Sequence, residues 1–585
     1  MKRLAWFLAL SLFMLPQVHG EAQAASKSPD TLIYAAQADV LSLDPAAADD
    51  DASRSVLAVL YDRLIDYDGT ALDRFVPRLA VEVPTAANGG ISRDGLTYTF
   101  KVRPGVKFHN GYPLSADDVA YSYRRIMITD PEGGPGWIWY RALLSTAGSR
   151  GADGKIEAKF PEIEACVKAS GDTVTFSLAH PYPAFLSVLA GGSASVVSRK
   201  WVQERGGWDG TAKGWEKYNN PAPGKETLAD VANGTGSYRL ARWTRGSELV
   251  VERFDASWAP RPALRSGIRR VVEDASQRKR MLLEGEVDMA AVDPMDAAMV
   301  SGLSGARGVS ILKDLPAMRL EGLHWNMAIE AKDNPCIGSG KMDGQGIPSE
   351  FFADNDVRQG FLYAWDGKAF LKEAFPGGIE ASVPIPRGLA DRNDGLRSGS
   401  PDLAKAAQSL KKAHSGQVWE NGFRMDLVYD EGNAFREAAV KALARNLNAV
   451  NSKFQVNVRA VEWIRYRDLA KKRKLPVVFL SWAADAPDAD DFLYPYMHSQ
   501  GTFAARLGYK NTEADKLVMG AASEPDPAKR KAAYFKLQDL WTADPGAILL
   551  GQATAVRAMR DALKGYEYHP MEGEPFSRLP SLRKQ

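Results

Sequence analysis

The densest group of residues able to do chemistry lies late in the chain, at Ser481-Trp-Ala-Ala-Asp-Ala-Pro-Asp488 and the Ala489-Asp-Asp491 that follows. Four aspartates at 485, 488, 490 and 491 can supply the paired carboxylates of a glycosidase or the oxygens of a calcium loop. The central glycine and terminal glutamate of a calcium loop are missing, and a solvated loop or helix cap is the plainer reading. Asp485 stands apart. The run Val477 to Trp482 before it places apolar residues on both faces, as a parallel strand buried on both faces should. A carboxylate three residues past such a strand sits at its carboxyl end, where open α/β sheets place ligands. Once desolvated it needs a cation, and a ligand ammonium can be that cation. On residue statistics alone a cap or an exposed acid is the commoner fate of such an aspartate. Trp482 either flanks a pocket or belongs to the core, since large aromatics do both.

Other chemistry is thin. The seven histidines, at 19, 109, 180, 324, 414, 498 and 569, include no pair four apart, so the His-Glu-x-x-His zinc helix cannot be built. There is no Cys-x-x-Cys pair. Ile337-Gly-Ser-Gly-Lys341 hints at a phosphate loop, but Pro335 stands where its first glycine belongs and Met342 where a magnesium-binding hydroxyl belongs. No Gly-x-Ser-x-Gly elbow occurs. These absences point away from an enzyme and give no cofactor and no metal site.

The elements that must position Asp485 alternate between strand and helix. Thr31 to Tyr34 opens as a strand, and Ser53 to Ile65 carries apolar residues at helical spacing. Leu96, Tyr98, Phe100 and Val102 alternate with polar residues after the turn dipeptide Asp94-Gly95. Ser115 and Asp118 form a capping box before the next helix. A second alternating strand holds Val174, Phe176 and Leu178, and 203–235, rich in Gly, Trp, Lys and Pro, reads as irregular surface. Later, the pattern predicts a long helix over Asp356 to Phe375, a strand over Phe423 to Tyr429, a helix to Val450 and a helix from Asp526-Pro527 to Trp541. Alternating strands and helices predict α/β lobes with mainly parallel central sheets. No fixed-period repeat is present.

Composition narrows the class. The 585 residues correspond to about three to five domain-sized units. Gly 51 and Pro 33 exclude collagen-like and low-complexity chains. A formal charge of +2, with no dense arginine tract, gives no field to recruit nucleic acid or an anionic membrane. Residues 1–24 read as an export signal: Met1-Lys-Arg3, an apolar stretch from Leu4 to Val18, then Ala22-Gln-Ala24 as the small-x-small cleavage site, with Gly20 as the other candidate. That stretch is too short for a membrane span of ~20 residues. No cysteine lies near the junction to carry a lipid, so the expected destination is the periplasm. In that oxidising compartment Cys166 and Cys336 form either a disulfide or two buried free thiols.

The stretch Asp94-Gly-Leu-Thr-Tyr-Thr-Phe-Lys-Val-Arg-Pro-Gly-Val-Lys-Phe-His-Asn-Gly-Tyr-Pro-Leu-Ser-Ala-Asp-Asp-Val119 closely resembles the signature of family 5 extracellular solute-binding proteins, the dipeptide and oligopeptide binders of ABC importers. Supporting blocks are Leu41-Ser-Leu-Asp-Pro45, Leu60-Tyr-Asp-Arg-Leu64, Gly234-Thr-Gly-Ser-Tyr238, Gly285-Glu-Val-Asp288, Val357-Arg-Gln359 and Ile385-Pro386. The resemblance spans nearly the whole chain after the signal.

What the resemblance implies is a two-lobed α/β periplasmic binding protein of type II, of the large cluster with an extra subdomain, with hinged lobes and central mixed sheets. The expected division is signal 1–24, first lobe 25–75 and 226–320, extra subdomain 76–225, second lobe 321–545, and a return of 546–585 to the first lobe. Peptide-binding members resemble Ser481 to Asp488 at Trp-x-Ala/Gly-Asp, where the aspartate pairs with the peptide's α-ammonium; here that is Asp485, with Trp482 as the flanking ligand-binding candidate. The implied function is capture of di- or oligopeptides for an inner-membrane ABC permease and its ATPase, by a monomer that binds no nucleic acid. The alternative is another solute on the same fold (glutathione, murein peptide, an opine, a sugar or a metal complex), and a periplasmic hydrolase is the third class. Two departures bear on the solute: the insert Ala331 to Ser349 is longer than the usual interlobe linker, and Asp488-Ala-Asp-Asp491 replaces the commoner Asp-Pro pattern.

Overall fold

A computed structural model describes residues 28–151, 153–396 and 400–585; the export signal at 1–24 lies outside the described residues. Eight strands form one sheet: β1 (Thr31–Ala36), β2 (Tyr238–Thr244), β3 (Glu248–Arg253), β4 (Ser266–Val271), β5 (Met289–Val292), β6 (Val309–Trp325), β7 (Val477–Ala483) and β8 (Ala547–Arg560). Their spatial order is β7-β6-β8-β5-β1-β4-β3-β2. β6 and β8 are much longer than their neighbours because each serves two lobes. The near end of β6 and the far end of β8 pair with each other beside β5, Val309 opposite Arg560 and Met289 opposite Met559. The opposite ends pair beside β7, His324 opposite Ala547 and Val478. Between these ends the register slips at Leu312/Leu315, Pro316/Leu320 and Glu321/Gly322. Such irregularities bend a strand and increase its twist, so the two covalent paths between lobes cross at the least regular part of the sheet.

The sheet is mixed. The parallel pairings are those of β1 with β5 and β4, while β6 is antiparallel to both its neighbours, β7 and β8. The expected mainly parallel arrangement therefore holds only at the centre of the first lobe and in a separate parallel pair, Phe423–Asp430 with Phe454–Val461. β7 is correspondingly an edge strand rather than a strand buried on both faces. Its burial runs from full at Val477, Val478 and Phe479 to partial from Leu480 onward.

Local signals formed as their chemistry dictates. Ser115 Oγ accepts the Asp118 N–H at 3.2 Å, and Asp118 accepts the Ser115 N–H at 2.9 Å, opening the helix Ala116–Thr129. Strand Thr97–Lys101 pairs antiparallel with Thr173–Ser177. Asp44 of the Leu-Ser-Leu-Asp-Pro block takes two guanidinium donors from buried Arg125, along with the N–H groups of Ala46 and Leu228. That block and the signature stretch are therefore structural.

Other expectations are corrected. The helix over Asp356–Phe375 is two helices, Asn355–Ala364 and Gly367–Ala374, because Asp366 caps the second by accepting the Ala369 N–H. The segment 203–235 is irregular but not merely surface, since Trp208, Trp215 and Leu228 are buried in the first core. Cys166 and Cys336 are not paired. Both thiols are free and buried, in separate hydrophobic cores, and burial pushes each up to about 11.

Replacing Arg125 by alanine leaves the Asp44 carboxylate buried without its cation. The expected loss is roughly 3–5 kcal/mol of unfolding free energy, read from urea unfolding followed by tryptophan fluorescence; a change below the scatter of the method refutes the structural role of this pair.

Candidate functional site

β7 ends at Ala483, and the chain turns into a helix over Ala489–Met497. Each carboxylate of the acidic block has its own task there. Asp488 caps that helix by accepting the Asp490 N–H and pairs with Arg530 at 2.7 Å. Asp490 is fully buried. It takes both Nε and a terminal nitrogen of Arg141, at 3.2 and 3.1 Å, and the Tyr182 hydroxyl at 3.0 Å. Asp491 folds back to accept the N–H groups of Asp485 and Ala486, both at 2.7 Å, and the indole N–H of Trp482 at 3.2 Å. Burial, and then the adjacent Asp485 charge, push the Asp491 carboxyl well up, against the pull of those donors. Three of the four aspartates thus shape the turn that presents the fourth.

Asp485 is presented to the opposite lobe. Its side chain is about 10% exposed and paired with Arg54, from the helix Asp51–Leu60, while its other oxygen accepts the indole N–H of Trp137 at 2.8 Å. Arg54 also pairs with Asp49, so one guanidinium bridges two carboxylates across the gap. Gly191 comes so near that a Cβ there would stand 3.1 Å from the Asp485 carbonyl oxygen, and its missing side chain is what allows the close approach. Trp482 packs edge-on against Trp137 and Phe503, both at 5.4 Å, and half of it lines the cleft.

The cleft is a series of connected chambers on both sides of this contact. One of about 250 Å³ lies between Arg54, Asp485 and the C-terminal segment around Glu572 to Arg578. A second, of about 300 Å³, runs between Tyr34 and Asp293 of one lobe and Arg319 and Ala483 of the other. A third, of about 560 Å³, holds Asp49, Trp137, Trp482 and Asp485. A fourth, of about 370 Å³, continues along β6 and β7 past Arg319 to Glu321 and Ser481. Arg319 faces three of them. Its Nε is buried without a partner and its nearest carboxylate, Asp51, is 3.9 Å away. Glu321 is half-buried two residues on, and its carboxyl is pushed up to about 7 by burial, against the nearby Arg319 and Arg436 guanidinium groups.

The structure brings Asp485 and Trp482 together in the cleft as the sequence pattern expects, but the cation facing Asp485 belongs to the chain itself. Arg54, Trp137, Arg319 and Glu321 were missed from sequence. The alternation of Arg319 and Glu321 with apolar Met318 and Leu320 is the signal that marks them: opposite charges on one face of a strand that is otherwise buried from Met318 onward. Nothing in the sequence around Arg54 distinguishes it from an ordinary polar position on a surface helix.

Two lobes joined by crossing strands, with a chambered cleft between them and charged side chains aimed inward from both, define a binding protein that closes on a solute. The profile of bacterial extracellular solute-binding proteins, family 5 Middle, matches residues 74–504, and the chain belongs to that family. It is similar to the dipeptide-binding protein of Escherichia coli (strain K12), 26% identical over 577 residues and 95% of each chain. It is also similar to the probable D,D-dipeptide-binding periplasmic protein DdpA of the same organism, 23% identical over 99% of each chain. Among solved structures it is similar to the ABC transporter-associated periplasmic binding protein DppA from Helicobacter pylori in complex with peptide STSA. That match has a TM-score of 0.71 at 22% identity and covers 95% of this chain and 98% of that one. Among the described residues no helix is long and apolar enough to cross a membrane.

Because the folded Glu321 carboxyl holds its proton to higher pH than an unfolded glutamate near 4.3, the folded state binds the extra proton between those values. Stability from this group therefore falls as pH rises from about 4 to about 7. Replacing Glu321 by glutamine removes that loss, so the variant gains on the order of 1–3 kcal/mol over the wild type at pH 8 after solvent screening, and nothing at pH 4. Urea unfolding at the two pH values checks this, and an equal effect at both contradicts it.

Proposed function

We propose that this protein is the periplasmic substrate-binding component of an ABC importer, capturing di- or oligopeptides between its lobes and delivering them unchanged to an inner-membrane permease and its ATPase. The observation that carries the reading is the position of Asp485: a largely desolvated carboxylate at the end of a second-lobe edge strand, facing a cation and an indole donor of the first lobe. A peptide's α-ammonium has the charge and donors to take the place of Arg54, which keeps Asp49 as its partner. The peptide names of the similar proteins support the same solute class.

The main chain supplies the rest of the grip. β7 pairs on one side only, with β6, so its other edge offers N–H and C=O groups to an extended peptide, as an added strand does. Arg319 lies opposite Ala483, the last residue of β7, and lines the same chamber as Asp485. Its partnerless Nε is a donor for a ligand carboxylate or carbonyl. Trp482 and Trp137 wall the chamber beside the ammonium.

Closure is drawn together by the Arg141–Asp490 pair and by Trp137, which stacks on Tyr494 at 6.2 Å. A ligand drives it by binding the closed form better than the open one. In this reading the second lobe comprises 321–545 and the first lobe the remainder, with 76–225 as its extra subdomain and 546–585 as its return. The signal at 1–24 is cleaved without a lipid anchor, and the protein acts as a monomer.

Removing the Asp485 carboxylate by alanine substitution is expected to weaken a free-amine peptide by roughly 2–5 kcal/mol, the cost of unpairing a desolvated charge. N-acetylation of the same peptide produces a comparable loss in the wild type. Titration calorimetry on peptides identified by mass spectrometry of the co-purified ligand measures both, and unchanged affinity in the variant removes Asp485 from the site.

A further inference from the structure

The fourth chamber has a chemistry that capture of a peptide's amine end leaves unused. Glu321 lies on the same face of β6 as Arg319, opposite Ser481, which precedes Asp485 by four residues in the chain. Among the described residues its carboxylate makes no hydrogen bond and has no cation within 4.0 Å. Three aromatic side chains, Phe375, Phe435 and Phe479, form the walls around it. A half-buried, unpaired carboxylate between aromatic faces is costly to hold empty, and it is the environment that favours an organic cation, through charge pairing and ring quadrupoles together.

Neither arginine near Glu321 makes a hydrogen bond or ion pair with it. Arg436, on the helix Ala434–Val450, is bonded to Asp430 at 2.7 Å, and its guanidinium lies 5.3 Å from the Phe479 ring centre. Arg319 faces Asp51 across the cleft. Asp293, on the loop after β5, adds another carboxylate to the chamber, and the buried phenol of Tyr496 lies near Glu321. The charged residues lining the chamber are Asp293 and Glu321 against Arg319 and Arg436, and Arg436 is taken up by Asp430.

We propose that this chamber selects ligands carrying a cationic side chain of the lysine, ornithine or arginine type, with Glu321 as its specificity-determining residue. The proposal rests on the peptide reading above and adds which peptides. With the α-ammonium at Asp485, a residue placed next to Arg319 has its side chain directed toward Glu321, within reach of a four-carbon stem. The raised Glu321 carboxyl adds a pH signature. Below about 7 the empty chamber holds a proton that an entering cation must expel, so the preference for basic ligands grows as pH rises through that value, and binding releases a proton.

The test is a calorimetric panel on the mature protein: tri-alanine, and alanine tripeptides in which each position in turn is lysine, arginine, glutamate or norleucine. Titrations run at pH 5.5 and 8.5 in buffers of different ionisation enthalpy. The expected result is a lysine or arginine peptide binding at least tenfold tighter than its norleucine counterpart at pH 8.5, with a smaller margin at pH 5.5 and proton release. In Glu321→Gln, shown folded by circular dichroism, the margin disappears while tri-alanine keeps its affinity. If neutral peptides bind and basic ones gain nothing, or if the gain survives in Glu321→Gln, the selectivity proposal is overturned and the peptide reading stands. If no peptide in the panel binds, both fall.

Discussion

Charge taken out of water has to meet its opposite, and in this protein several such meetings lie across the gap between lobes. Arg54 and Trp137 of the first lobe hold Asp485 of the second, and Arg141 with Tyr182 holds Asp490. Arg54 keeps one partner in its own lobe, Asp49, while the others find their hydrogen-bond partners across the gap. The closed arrangement therefore depends on polar groups that separation returns to water, where each regains hydration. Such an interface is close to balanced, because the Coulomb gain of a desolvated pair is offset by the cost of drying it, and a ligand of modest differential affinity can tip it.

The same logic explains why Arg54 is where it is. Left open to solvent, Asp485 would need no partner; in a closed, ligand-free cleft it needs one at once. Arg54 supplies the positive charge while Asp49 shares the guanidinium, so the proposed exchange for a ligand ammonium strands neither group. The structural work beneath is done by the three other aspartates of the block. Asp491 in particular fixes the turn by taking the backbone N–H groups of residues 485 and 486. A cluster that looks like a metal or catalytic centre on paper is a scaffold for one presented carboxylate.

The crossing of β6 and β8 sets how far such exchange can be coupled to movement. Their register slips lie between the first-lobe and second-lobe pairings, and Arg319 and Glu321 sit at the second-lobe border of that irregular stretch. These two cleft-lining residues are thus only a few positions from the place where the chain bends. A solute held by Arg319 or Glu321 acts close to the pivot, whereas one held by Asp485 acts through contacts with the opposite lobe.

Much of the fold was legible in the sequence wherever the cause was local. The Ser115/Asp118 capping box, the strands around Tyr98 and Phe176 and the helix after Asp526-Pro527 depend on neighbours a few positions apart or on alternation within one strand, and they formed as read. Errors fell where distant segments decide. An apolar run such as Val477 to Trp482 does not say whether its neighbours run parallel or antiparallel, and the periodicity of 356–375 hid the cap at Asp366. Cys166 and Cys336 were paired or unpaired only according to which core each joined. By itself the sequence determined the family and the locally encoded elements, because motifs and propensities are written in adjacent residues. Tertiary structure alone decided that Asp485 meets Arg54, 431 positions away in the chain, and that Glu321 is left without a cation, because the energy of a charge depends on what surrounds it in space.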